Sequence, residues 1–160
     1  MQYVARVGNF IDHGAQYHGA LQILKVILSY DYLWQNVRVK GGAYGCMSNF
    51  NRIGEGYLIS YRDPNLKKTM EVYEGVVDYL KNFTVDERDM TKYIIGTIGS
   101  MDMPMEAVDM GARSFHAYFL GKTEADLQKV RDQVLSCTQE DIRALAPIVK
   151  AVVEAGNRCC

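Results

Sequence analysis

The chain has 160 residues, one domain's worth and long enough to bury a real core. Apolar residues make up 48% and charged residues 23%, with a formal net charge of -1, the balance of an ordinary folded domain. That charge draws in neither nucleic acid nor anionic lipid, no aromatic-basic pattern marks an RNA-binding sheet, and no apolar run is long enough to span a bilayer.

Residues Gln2 to Gly8 alternate as a strand does, and Gly8-Asn9 closes it. From Tyr17 to about Asn36, Leu21, Leu24, Ile27 and Leu28 recur at helical spacing, and the amphipathic stretch ends near Trp34. Gly41-Gly42 breaks the pattern. Two β-like runs follow, Ala43 to Phe50 and Gly56 to Tyr61, joined through the turn-rich Asn51 to Glu55 as an antiparallel hairpin. Asp63-Pro64 predicts a helix start, with aspartate accepting free amides and proline at the first helical position. Leu66, Met70, Tyr73, Val77 and Leu80 then share one face. Thr84 with Glu87 fits a capping box before Met90, Tyr93, Ile94 and Ile98. Two more helices are predicted over 104–120 and 123–135, with Gly121 between them. Thr138 and Asp141 cap another, before Ile142, Leu145, Val149, Val152 and Val153, and Pro147 predicts a break near Ala146. Three strands in front of these helices give an α+β class, an antiparallel sheet layered with helices in a single domain over 1–160.

Most chemical motifs are missing. Cys46, Cys137, Cys159 and Cys160 show no Cys-x-x-Cys spacing, so no disulfide framework is expected. Cys46 and Cys137 read as small buried residues; Cys159-Cys160 has no functional reading, and a reducing, cytoplasmic compartment is the default. His13 and His18 do not stack on one helical face and have no carboxylate between them, so neither reads as a zinc ligand. His116, near Phe115 and Tyr118, reads as a helix-face residue, and the methionines, such as Met70 and Met90, take core-like helical positions. Neither Gly-x-Ser-x-Gly nor a phosphate loop occurs.

What remains is the run Arg38-Val-Lys-Gly-Gly-Ala-Tyr44. Arg38 is a permanent cation with five donors, and the phenol of Tyr44 is a neutral donor at pH 7. Two such donors aimed at one carbonyl oxygen suit the tetrahedral oxyanion of peptide hydrolysis. Gly41 and Gly42 between them permit positive φ and let another backbone come close. The local chemistry alone favours a plain turn in which Arg38 caps the helix end and Tyr44 lies half-buried on a strand.

The run Tyr32-Leu-Trp-Gln-Asn-Val-Arg38-Val-Lys-Gly41-Gly42-Ala-Tyr44-Gly45 resembles the carboxyl-terminal half of the presequence-protease branch of the pitrilysin (insulinase) zinc metallopeptidases. Gln2-Tyr-Val-Ala5, Ser60-Tyr-Arg-Asp-Pro-Asn-Leu66, Ile94-Ile-Gly-Thr-Ile-Gly99 and Asp141-Ile-Arg-Ala-Leu-Ala-Pro147 match in the family's order and cover nearly the whole chain. The resemblance implies a metalloprotease-like domain of the mitochondrial-processing-peptidase type, and a mitochondrial or plastid matrix as the alternative compartment. It also implies that Arg38 and Tyr44 reach across from the last domain to a zinc site in the first, where a zinc-bound water attacks the peptide. They would support the transition state, with Gly41 and Gly42 at the substrate backbone. The family's His-x-x-Glu-His does not occur here, so zinc is a cofactor expected of the full-length protein and not of this chain.

The chain therefore reads as a truncated carboxyl-terminal domain, inactive alone, whose partners are the amino-terminal domains of the same protein and an unstructured peptide. Family members place a final strand after the last helix, and the chain stops at Asn157-Arg-Cys-Cys160, where that strand should begin. With strand and partner domains missing, an open edge or apolar face is expected to drive self-association. The alternative is a non-catalytic binding or scaffolding module of the same superfamily.

Overall fold

A computed structural model of the chain describes residues 2–155 and 157–159. Strand β1 (Gln2–Asn9) forms as predicted, though Val4, Ala5 and Arg6 are all buried, and pairs antiparallel on both sides, with β3 (Glu55–Asp63) and with the short β4 (Asn157–Cys159). Strand β2 (Gly45–Phe50) forms the predicted hairpin with β3, and the sheet order is β2-β3-β1-β4. Against the expectation that the final strand is missing, β4 covers the edge of β1, pairing Asn157 with Val7 and Cys159 with Ala5. Of the adjacent cysteines, Cys160 lies outside the described residues and Cys159 enters through its backbone alone.

Helix α1 (Ala20–Ile27) buries Leu21, Leu24 and Ile27 as the spacing predicts. It does not stop near Trp34 or Asn36. The chain widens into π-helical turns over Leu28–Tyr32 and Trp34–Val39. Lys40 N–H donates to the Gln35 carbonyl, five residues back, at 3.0 Å. Trp34 and Arg38, one turn apart, hold the extension together, with the guanidinium carbon 3.9 Å from the ring centroid. Arg38 thus belongs to the last turn of the helix, not to the loop beyond it.

Two predicted helix starts move. Helix α2 (Lys67–Lys81) begins three residues after Pro64, and Asp63 does not cap it. Asp63 is fully buried at the end of β3 and accepts hydrogen bonds from other partners, described below. On α2, Met70, Tyr73 and Leu80 are buried as predicted, whereas Thr69 and Val76 take the places expected of Leu66 and Val77. Helix α3 (Glu87–Met101) is capped by Asp86, whose carboxylate accepts from Asp89 N–H at 2.7 Å. Thr84 instead donates to the Asn82 carbonyl, because it stands two residues too early to reach the free amides.

The remaining helices keep their predicted places. Helices α4 (Ala107–Phe119) and α5 (Glu124–Leu135) flank Gly121, whose φ is 61°. α6 (Gln139–Ala144) opens on the Thr138–Asp141 capping box, and α7 (Ala146–Glu154) restarts at Pro147. The core sits between α1, α2, α6 and α7 and one sheet face, and includes Val4, Leu24, Leu58, Tyr73, Ile142 and Val149. Cys137 is buried as expected, whereas Cys46 is only half-buried; burial pushes the thiol of Cys46 up to about 11 and that of Cys137 up to about 12.

The methionines divide. Met70 and Met90 are buried, but Met47 on β2, Met103 ahead of α4 and Met110 on α4 are exposed, and α4 has no buried residue at all. Its apolar side chains, Val108, Phe115, Tyr118 and Phe119, are each at least 65% exposed, and His116 stands exposed among them. This is the open apolar face expected of the chain. Concentration-dependent self-association is the expected behaviour, and strict monomer scattering at high concentration would contradict it.

Candidate functional site

The last π-helical turn, the glycine turn, the start of β2 and the end of β3 meet at one end of the sheet. Gly42 adopts φ 78°, and a Cβ on Gly41 would stand 2.4 Å from the Val37 carbonyl oxygen. Both glycines are therefore required by the backbone path. Gly42 N–H donates to the Arg38 carbonyl at 2.9 Å and Ala43 N–H to that of Val37 at 3.2 Å, closing the helix end.

The turn is also held from the other side. Asn65 Nδ2 donates to the Gly41 carbonyl, and Asn65 N–H donates to Asp63 Oδ1 at 2.8 Å. The other oxygen of Asp63 accepts from Ser60 Oγ at 2.6 Å and from Thr69 Oγ1 at 2.8 Å. A buried carboxylate with three donors thus links β3, α2 and, through Asn65, the glycine turn.

Tyr44 follows the turn and is 60% exposed. It stands one residue before β2, since strand pairing begins at Gly45 opposite Tyr61. A Cβ on Gly45 would clash with the Tyr61 ring, so the glycine lets that ring lie against the backbone beside Tyr44. The Tyr44 and Tyr61 ring centroids are 5.5 Å apart, and Tyr3 extends the row, 6.4 Å from Tyr61. Arg38 Nε donates to the Tyr44 carbonyl at 3.1 Å.

Arg38 and Tyr44 therefore come together. With Val39, Gly42, Ala43 and Arg62 they line an open cavity of about 490 Å³. Gly42 reaches this wall; Gly41 does not, its carbonyl being taken by Asn65. Among the described residues no group engages the Tyr44 hydroxyl, and neither Arg38 nor Arg62 forms an ion pair.

Arg62 escaped the sequence argument. It is the one non-glycine residue with positive φ among those described, at 49°, and its guanidinium carbon lies 5.2 Å from the Tyr44 ring centroid. The cause is a bulge: Gln2 pairs with Asp63 but Val4 with Ser60, leaving Tyr61 and Arg62 opposite Tyr3. In the fold the strand changes parity there, which burial shows and the sequence does not. Buried positions run Gly56, Leu58, Ser60 and then jump to Asp63.

The histidines do not assemble a metal site. His18 Nδ1 accepts from Ala20 N–H at 3.2 Å at the start of α1, and His13 is exposed in the short 3₁₀ turn Ile11–His13. No group of three or more His, Cys, Asp or Glu suited to a cation exists among the described residues, so they do not fit catalytic zinc. Metal analysis after dialysis against trace zinc should find less than one zinc per chain. A stoichiometric ion held by histidine would overturn this expectation.

The family described as the PreP C-terminal domain matches residues 1–160. The chain is 47% identical over 159 residues to "Protein HypA" of Clostridium perfringens, covering 99% of the chain and 16% of that protein. It is 35% identical over 157 residues to "Presequence protease 1, chloroplastic/mitochondrial" of Arabidopsis thaliana, covering 98% and 14%. The chain thus spans about a sixth or less of these relatives' length. Among solved structures, an inactive peptidase domain from Bordetella parapertussis superposes with a TM-score of 0.72 at 13% identity, over 98% of this chain and 87% of that one. The peptidase M16 inactive domain from Pseudomonas fluorescens gives 0.66 at 20% identity, over 96% and 38%. The chain belongs to the PreP C-terminal domain family, the carboxyl-terminal domain of pitrilysin-family peptidases.

Proposed function

We propose that this domain is the substrate-facing wall of a zinc oligopeptidase, where Arg38 and Tyr44 hold the peptide backbone and stabilise the oxyanion. One observation carries the proposal: the Arg38 guanidinium and the Tyr44 phenol, six residues apart, line one open cavity at a turn fixed from both sides. Arg38 is steadied by Trp34 and by the Tyr44 carbonyl, so its remaining N–H groups are available to a substrate carbonyl. Tyr44 offers an O–H on an exposed ring that packs on Tyr61. Donors aimed at a developing negative charge before reaction begins lower the barrier without reorganising.

Zinc does not enter this chain's own part. The metal and the attacking water belong, on the family resemblance, to another domain of the same protein, which closure of the two halves would bring opposite this wall. The substrate class is an unstructured peptide, by analogy with the proteases among the relatives. Their names, mitochondrial or chloroplastic, support the organellar alternative; the cytoplasm, the first expectation from the sequence, draws no comparable support.

The test is paired, thermal unfolding and peptide cleavage, in the intact protein that carries this domain. Arg38→Ala should weaken substrate binding as well as turnover, because a cation holds a carbonyl in the ground state too. Lost stability with normal turnover per folded molecule would mark Arg38 as a helix-end residue only.

A further inference from the structure

The cavity beside Tyr44 presents two guanidinium groups and no carboxylate. Arg38 and Arg62 both line it, and neither forms an ion pair among the described residues. The acid adjacent in sequence, Asp63, is fully buried with its oxygens taken by Ser60, Asn65 and Thr69. Two permanent cations facing one space without a counter-ion favour an anion there, and the planar guanidinium fork matches a carboxylate.

The backbone adds an independent observation. At φ 49°, Arg62 occupies a region that strand residues with a Cβ avoid, and the bulge takes it out of the alternation of β3. The same displacement sets its guanidinium over the Tyr44 ring. A strained non-glycine residue beside a cavity signals that its side chain is used there.

We propose that Arg62 is a specificity-determining residue of this site: together with Arg38 it takes a carboxylate of the bound peptide. The proposal rests on the peptidase reading for the nature of the ligand. Tyr44 attends to the carbonyl at the point of cleavage, while Arg62 selects peptides that place negative charge nearby. The carboxylate comes from an acidic side chain or from the peptide's own carboxyl terminus, two sources with one chemistry.

The test is calorimetric binding of short alanine-serine peptides to the intact protein carrying this domain. One arm compares peptides bearing Glu against Gln, scanned along the sequence; the other compares a free carboxyl terminus with its amide. One arm should show a preference of about tenfold for the charged form, the scale of one charge-assisted hydrogen bond in a partly screened site. The arm that shows it names the source. The preference should shrink to about twofold or less in Arg62→Asn, since asparagine tolerates positive φ without the cation. It should persist in part in Arg62→Lys and narrow with added salt. No preference in the parent protein, or an undiminished one in Arg62→Asn, overturns the proposal. Because binding is read directly, a protein that shows the preference but cuts no peptide refutes only the peptidase reading. One that cuts peptides without the preference refutes only this one.

Discussion

Tyr44→Phe is expected to lower turnover of the intact protein about a hundredfold to a thousandfold, on the order of 3 kcal/mol, the usual effect of losing one oxyanion donor. The substitution is selective. Phenylalanine keeps the ring that packs on Tyr61 and underlies Arg62, and the missing hydroxyl engages no described residue. Folding should therefore be unchanged, with the melting temperature within a degree or so of the parent, as for an exposed substitution that breaks no contact. Steady-state peptide cleavage checks the first expectation and thermal unfolding the second. Parent-like turnover would end the catalytic assignment of Tyr44, whatever the family resemblance.

The second large effect is expected from a residue that touches no substrate. Asp63→Ala leaves the buried hydroxyls of Ser60 and Thr69 and the half-buried amide of Asn65 without their acceptor. Stranding these groups should destabilise the fold by roughly 3 to 5 kcal/mol. Chemical denaturation measures this, and a loss below about 1 kcal/mol would mean the network holds little. Asp63→Asn keeps one acceptor oxygen and should fall between. The site should suffer as well: Asn65, released from Asp63, no longer fixes the Gly41 carbonyl, and the turn carrying Tyr44 loosens. Cleavage per folded molecule should drop in Asp63→Ala even under conditions that keep it folded.

The parts legible in the sequence were those written in local chemistry. The Thr138–Asp141 capping box, the Pro147 break, Gly121 and the hairpin over β2 and β3 each depend on neighbours a few positions away, and each was found. Asp63-Pro64 carried the same local signature and misled, because the carboxylate was claimed by Ser60 behind it and Thr69 ahead of it. The helix end was misplaced for a related reason. Trp34 and Arg38 stack on one face of a widened helix, and no propensity records that contact. At the site, the family resemblance and not the local chemistry singled out Arg38 and Tyr44, and the glycine turn brings both to one cavity wall with Gly42. Arg62 was not. Its conformation comes from pairing with β1, nearly sixty residues upstream, and no motif around it announces a bulge.

Trp34 is the only tryptophan in the chain, and it lies directly under the Arg38 guanidinium. A substrate carbonyl that draws Arg38 toward the cavity must change that stacking, and the indole's emission responds to a cation leaving its face. The domain thus carries an intrinsic optical gauge of where the Arg38 side chain stands. Stopped-flow fluorescence of the unlabelled chain can follow Arg38 as it engages a ligand, separately from any bond being cut. No probe need be attached.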